Sequence, residues 1–446
     1  MAGDWEETSL AAVMDVKHGF AFPGENIRDE PPGDILLTPG NFAIGGGFKG
    51  DKFKYFDGEV PQDYVLNESD LVVTMTDLSK QADTLGFPAL VPKPRGPRFL
   101  HNQRLGKVLI KCGAELDKGF LFYLLRTAGY RHEVLASATG TTVKHTSPGR
   151  ILAHKASIPP LAEQKAIASI LGALDDKIEL NRRMNTTLEA MARALFQSWF
   201  VDFDPVCAKL DGRQPAGLDE TTAALFPATF EDSAVGHIPK GWTVEPVGEV
   251  VDCAGGGTPS TTEPKYWEGG THHWTTPKDF SALQAPALLN TDRKITDAGI
   301  AKISSGLLPA GTLLLSSRAP VGYLAIAATP VAINQGFIAL KCNARASNYF
   351  MLSWCRTNMA EIESRATGTT FAEISKQNFR PIRVALPTVN LMAAFTDEVA
   401  PFYNQIITNL RQSRALANLR DALLPKLLAG DLRMQTGEFS SQGAVA

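Results

Sequence analysis

Within residues 158–200 the apolar and small positions fall into one register. Ile167, Leu171, Leu174, Ile178, Leu188, Ala192, Leu195 and Trp199 succeed one another at spacings built from fours and threes, and Asn181 falls in the same series. Such a series is the seam of a helix that packs against another long helix. Pro159 and Pro160 open the stretch, and Gly172 is its one later glycine or proline. A helix of about forty residues is ~60 Å long at ~1.5 Å per residue. That length suits a strut better than an ordinary core element.

The pattern returns 228 residues later. Phe395, Val399, Phe402, Ile406, Leu416 and Leu423 repeat Ile167, Leu171, Leu174, Ile178, Leu188 and Leu195, and Asn409 repeats Asn181. The same shift carries Ala138-Thr139-Gly140-Thr141-Thr142 onto Ala366-Thr367-Gly368-Thr369-Thr370. Upstream, with small slips, Asn102-Gln103 matches Asn334-Gln335, Arg126-Thr127 matches Arg356-Thr357, and Gly19 matches Gly256. A period this long means a duplicated domain and not a solenoid. The expected fold class is α+β: two globular mixed α/β domains held apart by two long antiparallel helices, in a pseudo-two-fold repeat. The boundaries read as a first domain over 1–157, a long helix over 158–200 and a linker over 201–240. A second domain follows over 241–386, then a long helix over 387–432 and a tail over 433–446.

Inside the domains the elements are short. LAAVMDV, GDILLT, SDLVVTMT and KVLIKC are strand-like runs bounded by Gly, Pro and Asp, and residues 118–135 have helical spacing. From residue 241 the pattern restarts, with GTLLLSS and GYLAIAA as strands. Residues 201–240, with FDPV and a run of Pro and Gly, read as a linker over the surface. Pro425 falls in the last turns of the second helix, where a kink or break is expected.

Composition adds bounds. The chain has 446 residues, enough for two cores, and a formal net charge of −3, so any nucleic-acid surface must be local. One local surface is Lys93, Arg95, Arg98, His101, Arg104 and Lys107, a stretch without an acid among them. Another is Lys49, Lys52 and Lys54, interleaved with Phe48, Phe53, Tyr55 and Phe56. A merely solvated loop is the competing reading of each. Five scattered cysteines without ligand spacing argue for reduced thiols, and Cys112 and Cys342 read as packing residues on apolar strands. No apolar run reaches membrane-spanning length, and MAGDWEETSL lacks a signal peptide's basic start and apolar stretch.

The motifs of catalysis are missing. Gly45 to Gly50 spells GGGFKG, but no helical pattern follows it, and there is no G-x4-G-K-[ST] phosphate loop. His272-His273 lacks a third ligand, Glu163-Gln164-Lys165 lacks a paired Asp-bearing strand, and Asp204-Pro205-Val206 does not fit a methyltransferase motif. No metal site and no catalytic residue is expected.

Residues 158–206 resemble the central conserved region of the DNA-specificity subunits of type I restriction–modification systems. LRDALLPKLLAGDL, residues 419–432, resembles that family's C-terminal end, and HIPKGW, residues 237–242, its entry to a second target recognition domain. WTTPKDF, SSRAPVGY, AINQGF and ATGTTFAEI are similar to that domain's recurring segments. The resemblance implies a non-catalytic chain in which each domain reads one half of a bipartite, asymmetric target in double-stranded DNA. The helices would set the spacing and dock two modification subunits, and restriction subunits would join the full complex. No cofactor is expected in this chain. S-adenosylmethionine, and ATP with Mg2+ for restriction, would belong to the partners. The expected location is the bacterial cytoplasm.

Candidate DNA contacts in the first domain are Lys49, Lys52, Lys54, Lys93, Arg95, Arg98, Asn102, Gln103, Arg104, Thr139, Thr141, Thr142 and Lys144. In the second they are Thr276, Lys278, Asp279, Ser317, Arg318, Asn334, Gln335, Thr367, Thr369 and Thr370. Because Asn-Gln recurs in both halves while the half-sites should differ, a structural or phosphate role is favoured for it over base reading. A two-fold scaffold that joins proteins and never touches DNA is the alternative.

Overall fold

The computed structural model describes residues 5–79, 81–368 and 372–432. The tail expected over 433–446 lies outside the described residues. Two compact units divide the chain: residues 1–177 with 416–446, and residues 178–415.

The first unit holds a five-stranded sheet ordered Ile27–Arg28, Lys54–Phe56, Asp34–Leu37, Phe99–His101, Val65–Leu66, and an antiparallel sheet ordered Met14–His18, Leu105–Ile110, Leu71–Thr74, Pro88–Leu90. Glu6–Ser9 pairs antiparallel with Lys155–Ile158, so the domain's first strand closes on its last. Leu10, Met14, Val73, Phe120, Leu121, Tyr130 and Ile151 form a core with Ile167 and Leu171 of one long helix and Leu427 and Leu428 of the other. Burying each such side chain is worth roughly 1.5–3 kcal/mol. That core is what makes these helix ends part of the domain.

The second unit repeats the plan. Thr243–Pro246 pairs antiparallel with Arg383–Leu386. A five-stranded sheet runs Asp252–Gly255, Phe337–Lys341, Leu313–Ser317, Val321–Ala327, Ala287–Leu288, beside a three-stranded one of Arg293–Ile295, His272–Thr275 and Val331–Ile333.

The long helices span Leu161–Phe200 and Val389–Leu428, and each continues from one unit into the other. Gln164 fixes the first helix's entry. It is fully buried, its Nε2 donates to Glu115 O at 2.9 Å and Pro159 O at 2.8 Å, and its Oε1 accepts from Asp117 N at 2.7 Å. Within the second unit the helices run antiparallel: Phe196 and Phe200 pack edge-on against Phe395, while Asn181 and Asn185 meet Asn409.

The seam is wetter in character than its sequence pattern suggested. Leu174, Ile178, Leu188, Leu195, Phe402, Leu416 and Leu423 are half-buried, whereas Asn181, Asn185 and Asn409 are buried. Asn181 and Asn409 do not bond side chain to side chain. Asn181 Nδ2 donates to Gln412 Oε1 at 2.9 Å, Ser413 Oγ at 3.2 Å and Asn409 O at 3.4 Å. Asn409 Nδ2 donates to Asn185 Oδ1 at 2.9 Å and its Oδ1 accepts from Gln405 Nε2 at 2.7 Å. Ser413 is the repeat of Asn185, so the two crossings are the same contact made twice. Among the described residues Asn181 Oδ1 has no partner.

Other expectations are corrected. Residues 201–240 are not a bare linker: they form helices Asp204–Leu210 and Glu220–Ala224 and the hairpin Phe230–Ser233/Gly236–Pro239, and they bury Val206, Phe226 and Ile238. Scattered apolar residues among the prolines hide this. The helical span 118–135 is two helices, Lys118–Leu124 and Ala128–Ala136, because Thr127 caps the second by accepting from Tyr130 N. LAAVMDV begins as a helical turn, Leu10–Val13, before its strand. The second helix continues through Pro425 to Leu428. Cys112 is exposed just past its strand's end.

A buried amide that loses its partner costs about 1–3 kcal/mol, while removing a polar cluster whole is close to neutral or stabilising. Asn409→Ala, which strands buried Asn185, should therefore lower the thermal unfolding midpoint. Asn181→Leu with Asn185→Leu and Asn409→Leu should raise it. A triple variant less stable than the single one would contradict the role given to this layer.

Candidate nucleic-acid interface

The residues singled out from the sequence are brought together by backbone hydrogen bonds, in the same way in each domain. In the first, Met75 N donates to Arg104 O at 2.8 Å, Thr146 N to Met75 O at 2.9 Å, and Thr139 and His145 bond each other at 2.9 and 2.8 Å. In the second, Ser317 N donates to Gly336 O at 2.8 Å, Ile374 N to Ser317 O at 2.9 Å, and Thr367 and Glu373 bond each other at 2.9 Å. Each row thus joins the Asn-Gln turn, the end of a central strand and the Thr-Gly turn.

The frame demands glycine at two kinds of place. A Cβ on Gly19 would lie 2.0 Å from Asn102 O, and one on Gly256 would lie 2.1 Å from Ile333 O and 2.3 Å from Asn334 O. Gly140 has φ +93° and a Cβ there would meet Val143 O at 2.0 Å. Asn102 Oδ1 accepts from Arg104 N and Asn334 Oδ1 from Gly336 N, each at 2.9 Å. The recurring Asn therefore shapes a turn, while Gln103 and Gln335 are exposed and Gln335 Oε1 accepts from Thr258 Oγ1 at 2.6 Å.

On this frame the two rows carry different chemistry. The first presents exposed Gln103, Arg104, Thr139, Thr141, Thr142 and His145, with half-buried Lys144. Asp77, opposite Lys144 in the strand pairing, turns inward. It accepts from Ser79 N at 2.6 Å and from Thr84 N and Oγ1 at 2.5 and 2.7 Å. Burial would push its carboxyl up, but these donors outweigh burial and hold it below the ordinary range. The second row presents Gln335, Arg318, Glu373 and Thr367, with Arg318 and Glu373 3.4 Å apart. Thr369 and Thr370 lie outside the described residues.

Some candidates are committed elsewhere. His101 is buried, its Nε2 donates to Leu105 O at 3.0 Å, and burial first of all pushes it down to about 4. Lys107 pairs with Asp70 at 2.5 Å. Asp279 spends its carboxylate on Thr275, Thr276 and Asp292, which also uses the Thr276 hydroxyl, and Ser317 is buried. Arg98 pairs with Asp34, Lys49 with Asp51, Lys54 with Asp29 and Lys278 with Asp292. The three lysine pairs are exposed ones worth ~0–1 kcal/mol, weak enough for a phosphate to replace the carboxylate, whereas Arg98 is held by bidentate bonds to half-buried Asp34. Lys52, Lys93, Arg95 and Arg104 are exposed and have no ion pair among the described residues. His145 and Glu373 were missed from the sequence, although the shift of 228 links them and both flank the repeated turn.

Among the described residues no cluster of His, Cys, Asp and Glu could hold a metal ion, and no helix is long and apolar enough to cross a membrane.

Two mixed domains with equivalent polar rows, each continuous with the same two long helices, define a duplicated recognition protein. Residues 2–190 and 239–409 match the type I restriction modification DNA specificity domain, and the chain belongs to that family. It is 26% identical over 363 residues to the type I restriction enzyme HindI specificity subunit of Haemophilus influenzae, covering 70% of this chain and 77% of that one. It is 31% identical over 189 residues to the MjaIX specificity subunit of Methanocaldococcus jannaschii, covering 42% and 43%. Among solved structures it resembles the S subunit of a type I restriction–modification system from M. genitalium, with a TM-score of 0.56 and 16% identity over 95% of this chain and 96% of that one.

The depressed His101 has a pH consequence. A base whose folded pKa is lowered leaves the unfolded chain binding the proton first, so its stability contribution is complete above about 6.5 and is lost as pH falls toward about 4. The loss is on the order of 3 kcal/mol at ~1.36 kcal/mol per pKa unit. Acid unfolding followed by circular dichroism should show this slope, and His101→Gln, whose amide can still donate to Leu105 O, should flatten it.

Proposed function

We infer that this chain is the DNA-reading subunit of a type I restriction–modification complex and catalyses nothing itself. The observation that carries this is the pair of rows: one backbone frame built twice, bearing Arg104 and His145 in one domain and Arg318 and Glu373 in the other. A protein that reads two different half-sites needs a common way to stand on the duplex and different side chains at the base edges. Phosphates position and base edges specify. The glycine-bound turns and exposed lysines suit the first task, and the row residues that differ suit the second.

In this reading the long helices set the spacing between half-sites and dock two copies of a modification subunit, which carries S-adenosylmethionine and methylates an adenine in each half-site. Restriction subunits add ATP and Mg2+ chemistry, and the complex works in the bacterial cytoplasm. Docking has a candidate surface. Met191 and Leu419 are repeat equivalents, and they are 47% and 48% exposed. Ala194 and Ala422, also exposed and also equivalent, lie three residues on. An apolar side chain held out in water at the same place in both repeats suits a partner that binds twice.

Lys93→Ala with Arg95→Ala should weaken binding of the assembled complex to its duplex. The change should reduce the salt slope by about 2, since each phosphate contact contributes roughly 0.9. Arg318→Ala should alter methylation at one half-site and leave the other as it was, read by sequencing the modified DNA. Unchanged slope and unchanged methylation would favour the scaffold alternative.

For docking, Met191→Asp and Leu419→Asp should each reduce the modification subunits bound per chain from two to one, and the double variant should bind none. Native mass spectrometry of the purified complexes decides it. Two subunits retained on the double variant would remove this surface from consideration.

A further inference from the structure

The second domain holds a basic cluster that the row does not use. His273 and Lys294 sit directly opposite each other in antiparallel pairing. Lys294 Nζ lies 2.5 Å from His273 Nδ1 and 3.1 Å from Nε2, and donates to Asn290 Oδ1 at 3.0 Å. Arg414, exposed on the second long helix, is close enough to add its charge to both. None of the three has an ion pair among the described residues. The acids beside them in sequence are engaged, Asp292 with Lys278 at 3.6 Å and Asp297 with His272 at 2.8 Å.

At 2.5 Å Lys294 Nζ donates to His273 Nδ1, which a protonated imidazole could not accept, so the free site holds two cations and a neutral ring. Burial first, and then the neighbouring cations, hold both His273 and Lys294 below their ordinary values. The free protein thus keeps three basic groups together without a counter-charge. An anion seated among them would relieve both the repulsion between the two cations and the pull on their protons.

Position says which anion. His273 lies two residues before Thr275 on the same strand, His272–Thr275. Thr275 O accepts from Asn334 N at 3.1 Å, which ties it to the Asn-Gln turn of the row. Two residues of strand span about 7 Å, and two steps along one DNA strand also rise about 7 Å. A duplex standing on the row with one strand running along His272–Thr275 would bring a backbone phosphate to the cluster.

We propose that His273, Lys294 and Arg414 form a phosphate subsite for the DNA backbone two nucleotides from the half-site contacts, so that the second long helix touches the DNA as well as spacing the half-sites. This rests on the DNA-reading function above. It adds a contact that is blind to sequence, and its tests separate it from that function.

The assembled complex is titrated with target duplex across salt, as wild type, as Arg414→Gln, and as Lys294→Gln with Arg414→Gln. The double variant should lose about 1 from the salt slope, so that raising salt from about 50 to 200 mM costs it roughly fourfold less affinity than it costs wild type. Arg414→Gln, an exposed helix position, should lose about half of that, and the methylated sequence should not change. Duplexes carrying a single neutral methylphosphonate supply the second measurement. One position near the second half-site should weaken wild type and leave the double variant unaffected. A wild-type salt slope in both variants, with no such position, overturns the subsite while the DNA-reading function stands. Loss of modification-subunit binding at an unchanged slope assigns the cluster to a protein partner and overturns it too. A wild-type complex whose affinity does not depend on salt overturns both readings.

Discussion

A helix buried along one face cannot gain or lose a residue without turning everything beyond it by about 100°. That constraint governs this chain. Across both long helices the repeat keeps a shift of 228 without a slip, from Ile167 and Phe395 to Leu195 and Leu423. Inside the domains it drifts: Arg104 corresponds to Gly336, an offset of 232, and Met75 to Ser317, an offset of 242. Loops absorb the difference because they are not phased to anything. The rows survive the drift because backbone hydrogen bonds define them, and these are indifferent to how much chain lies between.

The polar layer at Asn181, Asn185 and Asn409 fits the same constraint. An apolar seam alone tolerates sliding by a heptad, since leucine replaces leucine. A buried amide does not, because a slip leaves its donors facing carbon. Among the described residues Asn181 Oδ1 meets no donor, so that atom adds no bond across the seam. The layer's reciprocal crossings instead define one alignment.

Much of this was legible in the sequence because it is periodic. Helix length, duplication and the Asn-Gln and Thr-Gly turns all repeat, and repetition separates signal from accident in a single chain. What did not repeat was harder to read. Val206, Phe226 and Ile238 make 201–240 a packed segment, but they are three apolar residues scattered among prolines and acids. The ion pairs that occupy Arg98, Lys54 and Lys107 join residues 25 to 64 positions apart, and no local pattern announces them. His145 and Glu373 were within reach of the repeat, yet they differ in charge, so likeness alone passed over them.

That difference is informative when set beside the joints between domain and helix. In the first unit Arg126 Nη1 bonds Asp175 Oδ2 at 2.8 Å, and its Nε bonds Gly45 O at 2.7 Å. Burial alone would push the Asp175 carboxyl up, but Arg126 and Arg420 beside it outweigh burial and hold it below the ordinary range. In the second unit the equivalent Arg356 pairs with Glu189 at 3.0 Å, and Tyr403 stands where the repeat would place Asp175. Each unit thus keeps an arginine bolted to an acid on the first long helix, but the acid comes from a different turn. The joint is retained while its partners are exchanged. The rows follow the same logic, with frame atoms fixed and side chains free to vary. Because the frame is backbone and glycine, a substitution at Arg104, His145, Arg318 or Glu373 leaves every frame bond in place. Recognition can then change without disturbing the helices.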